Sequence, residues 1–271
     1  MLSSTEVTSL TQLAPASAPA QTQTGIISAE AYEKGLAQWL ELLDEDEHAA
    51  LATCFSGVDG QHVPYMSFPV QRIVELLSAS PSGRIKAHFI VLPNASGDMR
   101  VTLALFALDE KGRRVSSYYV ANEYATAIAA PLKMHTPKAK LGPTIDNEVA
   151  SVLANHWRQN WADATLTAEH FTTPYGPLRG YTFQATSFFN LLFKLTSFDK
   201  QEVRLHFALR AYSHSLLGGG DAPTATAGLL VQMSTPRAGR DEDDLDYDSD
   251  YEGDDTPPYG DMASPCPPVC G

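Results

Sequence analysis

Ile85-Lys86-Ala87-His88-Phe89-Ile90-Val91 and Val203-Arg204-Leu205-His206-Phe207-Ala208-Leu209 lie 118 residues apart and match in kind at almost every position. Both alternate with period two, the signature of a strand with one apolar face. Ile85, Ala87, Phe89 and Val91 face one way and Arg84, Lys86, His88 and Ile90 the other; Val203, Leu205, Phe207 and Leu209 oppose Glu202, Arg204 and His206. A heptapeptide that returns with its alternation intact points to a repeated unit.

The repeat extends outward in both directions. Ile27-Ser28-Ala29-Glu30 and Ile145-Asp146-Asn147-Glu148 each join an N-capping side chain to an acid in the first helical turn. The helices that follow carry the stripes Tyr32, Leu36, Trp39, Leu40, Leu43 and Val149, Val152, Leu153, Trp157, Trp161, which align Trp39 with Trp157. Strand-like runs at 62–68 and 178–183 lead through Ser67-Phe68 and Thr182-Phe183 into second helices. Behind the alternating strands, 101–108 and 226–233 return as hairpin partners, and 114–120 adds a third strand in the first copy. The expected fold is therefore α+β: a tandem duplication of a helix-strand-helix-hairpin module, with antiparallel strands and helices on one face. Its expected divisions are a disordered end at 1–24, modules at 25–121 and 145–235, a linker at 122–144 and a disordered acidic tail at 236–271.

Charge is concentrated in that tail. The chain has 271 residues, 32 acidic and 19 basic, for a formal net charge of −13, and eleven of the acids fall between Asp241 and Asp261 with no Lys or Arg among them. Like charges at that density repel and bury nothing, and Pro257, Pro258, Pro265, Pro267 and Pro268 oppose helix. Without the tail the acids and bases nearly balance. No basic footprint for nucleic acid is present, and no apolar run is long enough for a membrane span. The start of the chain lacks the basic and apolar regions of a leader, so the expected compartment is the cytoplasm.

Candidate chemistry is sparse. His88 and His206 hold matching places on polar strand faces, where a pseudo-symmetric anion or metal site competes with a solvated strand surface; the solvated surface is the expectation. Asp248, Asp250 and Glu252 fit the start of a calcium loop, but Tyr259 stands where the bidentate Glu belongs, leaving only weak cation binding. Cys266 and Cys270 suit a partner-read motif, a disulfide or a metal ligand pair, and Cys54 suits packing among Leu51, Ala52 and Phe55. Tyr118 and Tyr119 read as edge residues. Phe188, Phe189, Phe193 and Phe198 ring a helix that needs cover, from within the chain or from a partner, so Phe189, Phe193 and Phe198 are candidate interaction residues. Lys138 and Lys140 form the clearest basic segment and a candidate contact for the acidic tail.

Thr182-Phe183, Val203-Arg204-Leu205-His206-Phe207, the strand ending at Val231 and Cys266-Pro267-Pro268-Val269-Cys270 together resemble uncharacterised bacterial proteins of helix/strand/helix/hairpin pattern that end in Cys-Pro-Pro-x-Cys. That resemblance implies no activity. Catalytic signatures such as a nucleophile elbow, phosphate loop or dinucleotide fingerprint do not occur. The expected role is a noncatalytic protein-protein interaction or scaffold protein, without cofactor, that presents an acidic tail to a protein partner or to itself. The alternatives are an enzyme or ligand binder with a pocket between the modules, and weak divalent-cation binding by the tail.

Overall fold

Ser28 opens α1 (Ala29–Asp44) by accepting the Ala31 N–H on its hydroxyl at 3.1 Å, so the capping signal read at Ile27-Ser28-Ala29-Glu30 acts as a cap. The structure is a computed structural model and describes residues 25–44, 48–57, 60–79, 83–94, 96–121, 151–173, 175–193, 201–212, 224–234 and 264–266. Before α1 lies β1 (Ile26–Ile27). After it come α2 (His48–Phe55), β2 (Tyr65–Pro69), α3 (Val70–Ala79), β3 (Arg84–Pro93), β4 (Met99–Leu108) and β5 (Tyr118–Val120). The second half holds α4 (Ser151–Asp163), a 3-10 turn at Ala168–Phe171, β6 (Thr172–Thr173), β7 (Gly176–Pro177), β8 (Gly180–Gln184), α5 (Ala185–Leu192), β9 (Glu202–Tyr212) and β10 (Thr224–Ser234). A last strand, β11, covers Ser264–Cys266.

The fold is α+β with antiparallel sheets, as the alternation predicts. A six-stranded sheet has the order β1-β5-β4-β3-β8-β11, a three-stranded sheet the order β10-β9-β2, and β6 pairs with β7 alone. Two self-contained tandem modules are not what the sheets contain. β2, from the first half, pairs with β9, while β8, from the second, pairs with β3. Each short strand is exchanged onto the other half's hairpin.

Backbone contacts correspond across the exchange. Phe89 N–H donates to the Arg179 carbonyl at 2.9 Å, and Phe207 N–H to the Pro64 carbonyl at 3.0 Å. Val63 N–H reaches the Phe55 carbonyl at 2.8 Å, as Leu178 N–H reaches Phe171 at 2.7 Å. Val70 N–H meets the Gln201 carbonyl at 3.0 Å and Ala185 N–H the Gly83 carbonyl at 3.2 Å. The indole of Trp39 donates to the Leu178 carbonyl, whereas Trp161, not Trp157, makes the matching bond to Val63. The alignment of Trp39 with Trp157 is therefore corrected by one helical turn. Residues four apart share a helix face, so the apolar stripe alone does not choose between them.

The inner faces of the sheets enclose an aromatic core. Trp39 stacks on Phe89 at 5.0 Å and Trp161 on Phe207 at 4.9 Å, while Phe55 and Phe171 stack on each other at 5.4 Å. These six rings are at most 1% exposed. Each such pair adds about 0.5–1.5 kcal/mol beyond the area it buries. α3 joins this cluster through Val70, Ile73, Leu76 and Leu77. The expectation of helices on one face fails, because α1 starts on the opposite face of β3, with Tyr32 against Ile90 and Phe106, before Trp39 enters the aromatic core. α4 does the same on β9 with Ala154 against Ala208 and Leu230, and Leu153, read as part of its stripe, is 49% exposed.

Candidate functional site at the edge of the larger sheet

Ser264–Cys266 pairs antiparallel with β8 in the register Ser264↔Thr182, Pro265↔Tyr181, Cys266↔Gly180. This short strand falls inside the stretch read from composition as a disordered tail; the remainder of 235–271 lies outside the described residues. Its pairing follows from phase. In an antiparallel ladder, alternate residues direct both backbone groups to the same side. Since Phe89 bonds to Arg179, the backbone groups of Arg179, Tyr181 and Phe183 turn toward β3. Gly180 and Thr182 therefore turn toward β11, where Cys266 and Ser264 meet them. Pro265 falls opposite Tyr181, at the phase that needs no N–H, as proline in an edge strand requires. Continued in the same phase, the next inward position is Pro268, which has no N–H to give, so the sequence limits the ladder to a short one.

Gly180 makes this edge possible. Its φ of +152° and its closeness to β3 exclude a side chain: a Cβ would lie 2.0 Å from the Ala87 carbonyl oxygen and 2.7 Å from the His88 Cα. The glycine gave no signal in the sequence, because the clash is with a strand distant in the chain. Ala104, His88, Gly180 and Cys266 form one row across β4, β3, β8 and β11.

His88 is buried rather than solvated, at 7% exposure, because α1 covers its face. Its Nδ1 lies 2.7 Å from the Tyr32 hydroxyl; Tyr32 stacks on Tyr118 at 3.9 Å, and the Arg114 guanidinium sits 4.5 Å over the Tyr118 ring. Tyr118 and Tyr119, expected at an edge, are buried, and β1 pairs alongside them as the edge strand. Burial, with Lys86 and Arg179 adding like charge, lowers the His88 pKa to about 3. His206 is likewise buried, at 2%, with Nε2 2.8 Å from the Gln232 side-chain oxygen; burial and then Arg158 hold its pKa well below the ordinary histidine value. The two histidines are neutral groups in separate sheets, the first in the row that ends at Cys266.

The other candidates are not assembled into one site. Phe188 is buried at 1%, Phe189 packs partly against the core, and Phe193 stacks on Phe189 at 6.2 Å while 82% exposed. The Cys54 thiol is buried, which raises its pKa and suits the packing role. Phe198, Lys138, Lys140, Asp248, Asp250, Glu252 and Cys270 lie outside the described residues. Among the described residues, no group of three or more His, Cys, Asp or Glu side chains is placed to hold a metal ion, and no helix is long and apolar enough to cross a membrane. Comparison with family models, curated proteins and solved structures gives no match.

Proposed function

We propose that this chain is a noncatalytic protein-protein interaction protein that receives an extended polypeptide segment at the outer edge of β8, and that its own C-terminal strand is the resident occupant. The observation that carries the reading is the β11–β8 ladder, in which the occupant's proline takes the one phase that costs no hydrogen bond. Main-chain bonding of this kind gives affinity with little demand on sequence, so a partner segment with N–H groups at the same two phases competes for the seat. The space between the sheets argues against a pocket there, since Trp39, Phe55, Phe89, Trp161, Phe171 and Phe207 fill it. The acidic run lies between β10 and β11 in sequence, and displacement of β11 would release one end of it to a partner. A cytoplasmic location is part of the same proposal.

The test uses the full chain. Ser264→Pro together with Cys266→Pro removes both inward N–H groups of β11 and opens the edge. A fluorescent peptide of residues 258–271 should then bind the double variant at least about tenfold more tightly than the native chain, whose tethered strand competes at high effective concentration. Equal binding to both proteins, or to neither, rejects the proposal.

A further inference from the structure

Arg84, Lys86 and His88 hold alternate positions on the face of β3 turned away from the aromatic core, and their rows continue through Gln184, Thr182 and Gly180 of β8. At the edge of the sheet the last two rows end on Ser264 and Cys266. Arg179 joins the same face. Leu178 and Tyr181 both enter the inner core, so the chain between them, at Gly180 with its φ of +152°, departs from strict alternation and turns Arg179 to the outer side. There Arg179, with Lys86, acts on His88 as a like charge. Among the described residues neither Arg84 nor Arg179 enters an ion pair, and the Arg179 Nε is buried without a hydrogen-bond partner. Both arginines are only half-buried, within reach of a strand laid on the edge. Opposite charges on neighbouring strands of one face stabilise a sheet, and the resident strand supplies none here. Ser264 and Cys266 are uncharged, and the next positions of the same phase in the sequence are Met262 and Pro268.

Resting on the reading of the β8 edge as a polypeptide seat, we propose that the partner segment it receives is an acidic strand of another protein, with carboxylates at the two positions that are Met262 and Pro268 in the resident. In the register of β11 the first of these lies opposite Gln184, in the Arg84 row. The second lies one step of the same phase beyond Gly180, next to Arg179. A guanidinium then meets a carboxylate at each end of the seat, and the Arg179 Nε–H gains an acceptor. The positions between need supply only N–H groups to the ladder. Main-chain bonding treats resident and partner alike, so charge is what tells them apart.

The opened chain, Ser264→Pro with Cys266→Pro, is titrated with fluorescent peptides of residues 258–271. One has the native sequence, one carries Met262→Glu with Pro268→Glu, and one carries Met262→Gln with Pro268→Gln, a neutral control that equally restores the N–H proline lacks. At about 50 mM salt the Glu peptide should bind at least about fivefold more tightly than the Gln peptide, and at about 500 mM the ratio should fall below about twofold. Arg84→Gln with Arg179→Gln should remove that advantage and leave the Gln peptide's affinity unchanged. In the otherwise native chain, the Glu pair placed in its own tail should slow amide exchange at Gly180 and Thr182 at least about threefold relative to the Gln pair, which gives the answer even where the opened chain does not fold. Equal binding of the Glu and Gln peptides, or an advantage that survives loss of both arginines, overturns the acidic partner and leaves the seat standing. Failure of every peptide to bind is failure of the seat itself and overturns both. A peptide of residues 243–254 that binds as tightly as the Glu peptide also overturns the proposal, by making the chain's own acidic run the occupant.

Discussion

Trp39 gives its indole N–H to the carbonyl of Leu178 at 2.8 Å, across 139 residues of chain. The bond joins the first helix to the segment that leads into β8, and Trp161 returns it by donating to Val63 ahead of β2 at 3.1 Å. Each tryptophan thus fixes the strand that its own half's hairpin receives from the other half.

Trp39→Phe and Trp161→Phe should each destabilise the protein by about 2–4 kcal/mol in urea unfolding, from a buried carbonyl left unpaired and the volume lost between stacked rings. Trp157 is half-buried, with Arg210 4.7 Å over its ring, and Trp157→Phe should cost less than about 1 kcal/mol. Equal costs for Trp157 and Trp161 would return the alignment to the one read from the helix stripe.

Gly180→Ala should cost more than about 3 kcal/mol or prevent folding, because the new methyl meets the backbone of Ala87 and His88. At Gly60 the φ is +76° but nothing lies within 4 Å of a Cβ, so Gly60→Ala should cost only about 1 kcal/mol. Thermal unfolding of the pair separates steric clash from backbone strain.

Acid should destabilise the protein through its buried histidines. With a folded pKa of about 3 against 6.5 for the ordinary group, His88 takes up its proton preferentially in the unfolded chain. Its contribution to stability is complete above pH 6.5 and is lost as the pH falls toward 3, at up to about 1.4 kcal/mol per pH unit. His206 acts in the same direction. His88→Gln keeps an acceptor for Tyr32 and removes the titration, so its urea midpoint should fall less steeply than the native one between pH 6.5 and 4.5. Parallel pH profiles would show that His88 does not titrate with unfolding.

The aromatic helix α5 divides by exposure. Phe193→Asp, at a side chain 82% exposed, should change stability by less than about 0.5 kcal/mol. Phe189→Asp places a charge against the core and should cost a few kcal/mol, and Phe188→Asp should not fold. Light scattering on Phe193→Asp against the native chain then reports on association through α5 without a folding defect, and unchanged scattering would show that Phe193 is not an association residue.

The period-two alternation at 85–91 and 203–209 determined the hairpins and the α+β class, because side-chain direction along a strand is a local property of the backbone. Ser28 and the stripe of α1 were equally legible, and so was the correspondence of β2 with β8 along the chain. The exchange of β2 and β8 was not, since backbone hydrogen bonds are blind to residue identity and either hairpin offers the same ladder. Burial of His88 and His206 was decided by where α1 and α4 came to rest, which placed a helix over a face whose Lys, Arg and His composition suggests water. The seating of Ser264–Cys266 needed the edge of β8 beside it: in isolation Ser-Pro-Cys has too little to bury to order itself, and only a sheet already in place supplies the bonds that offset its lost entropy.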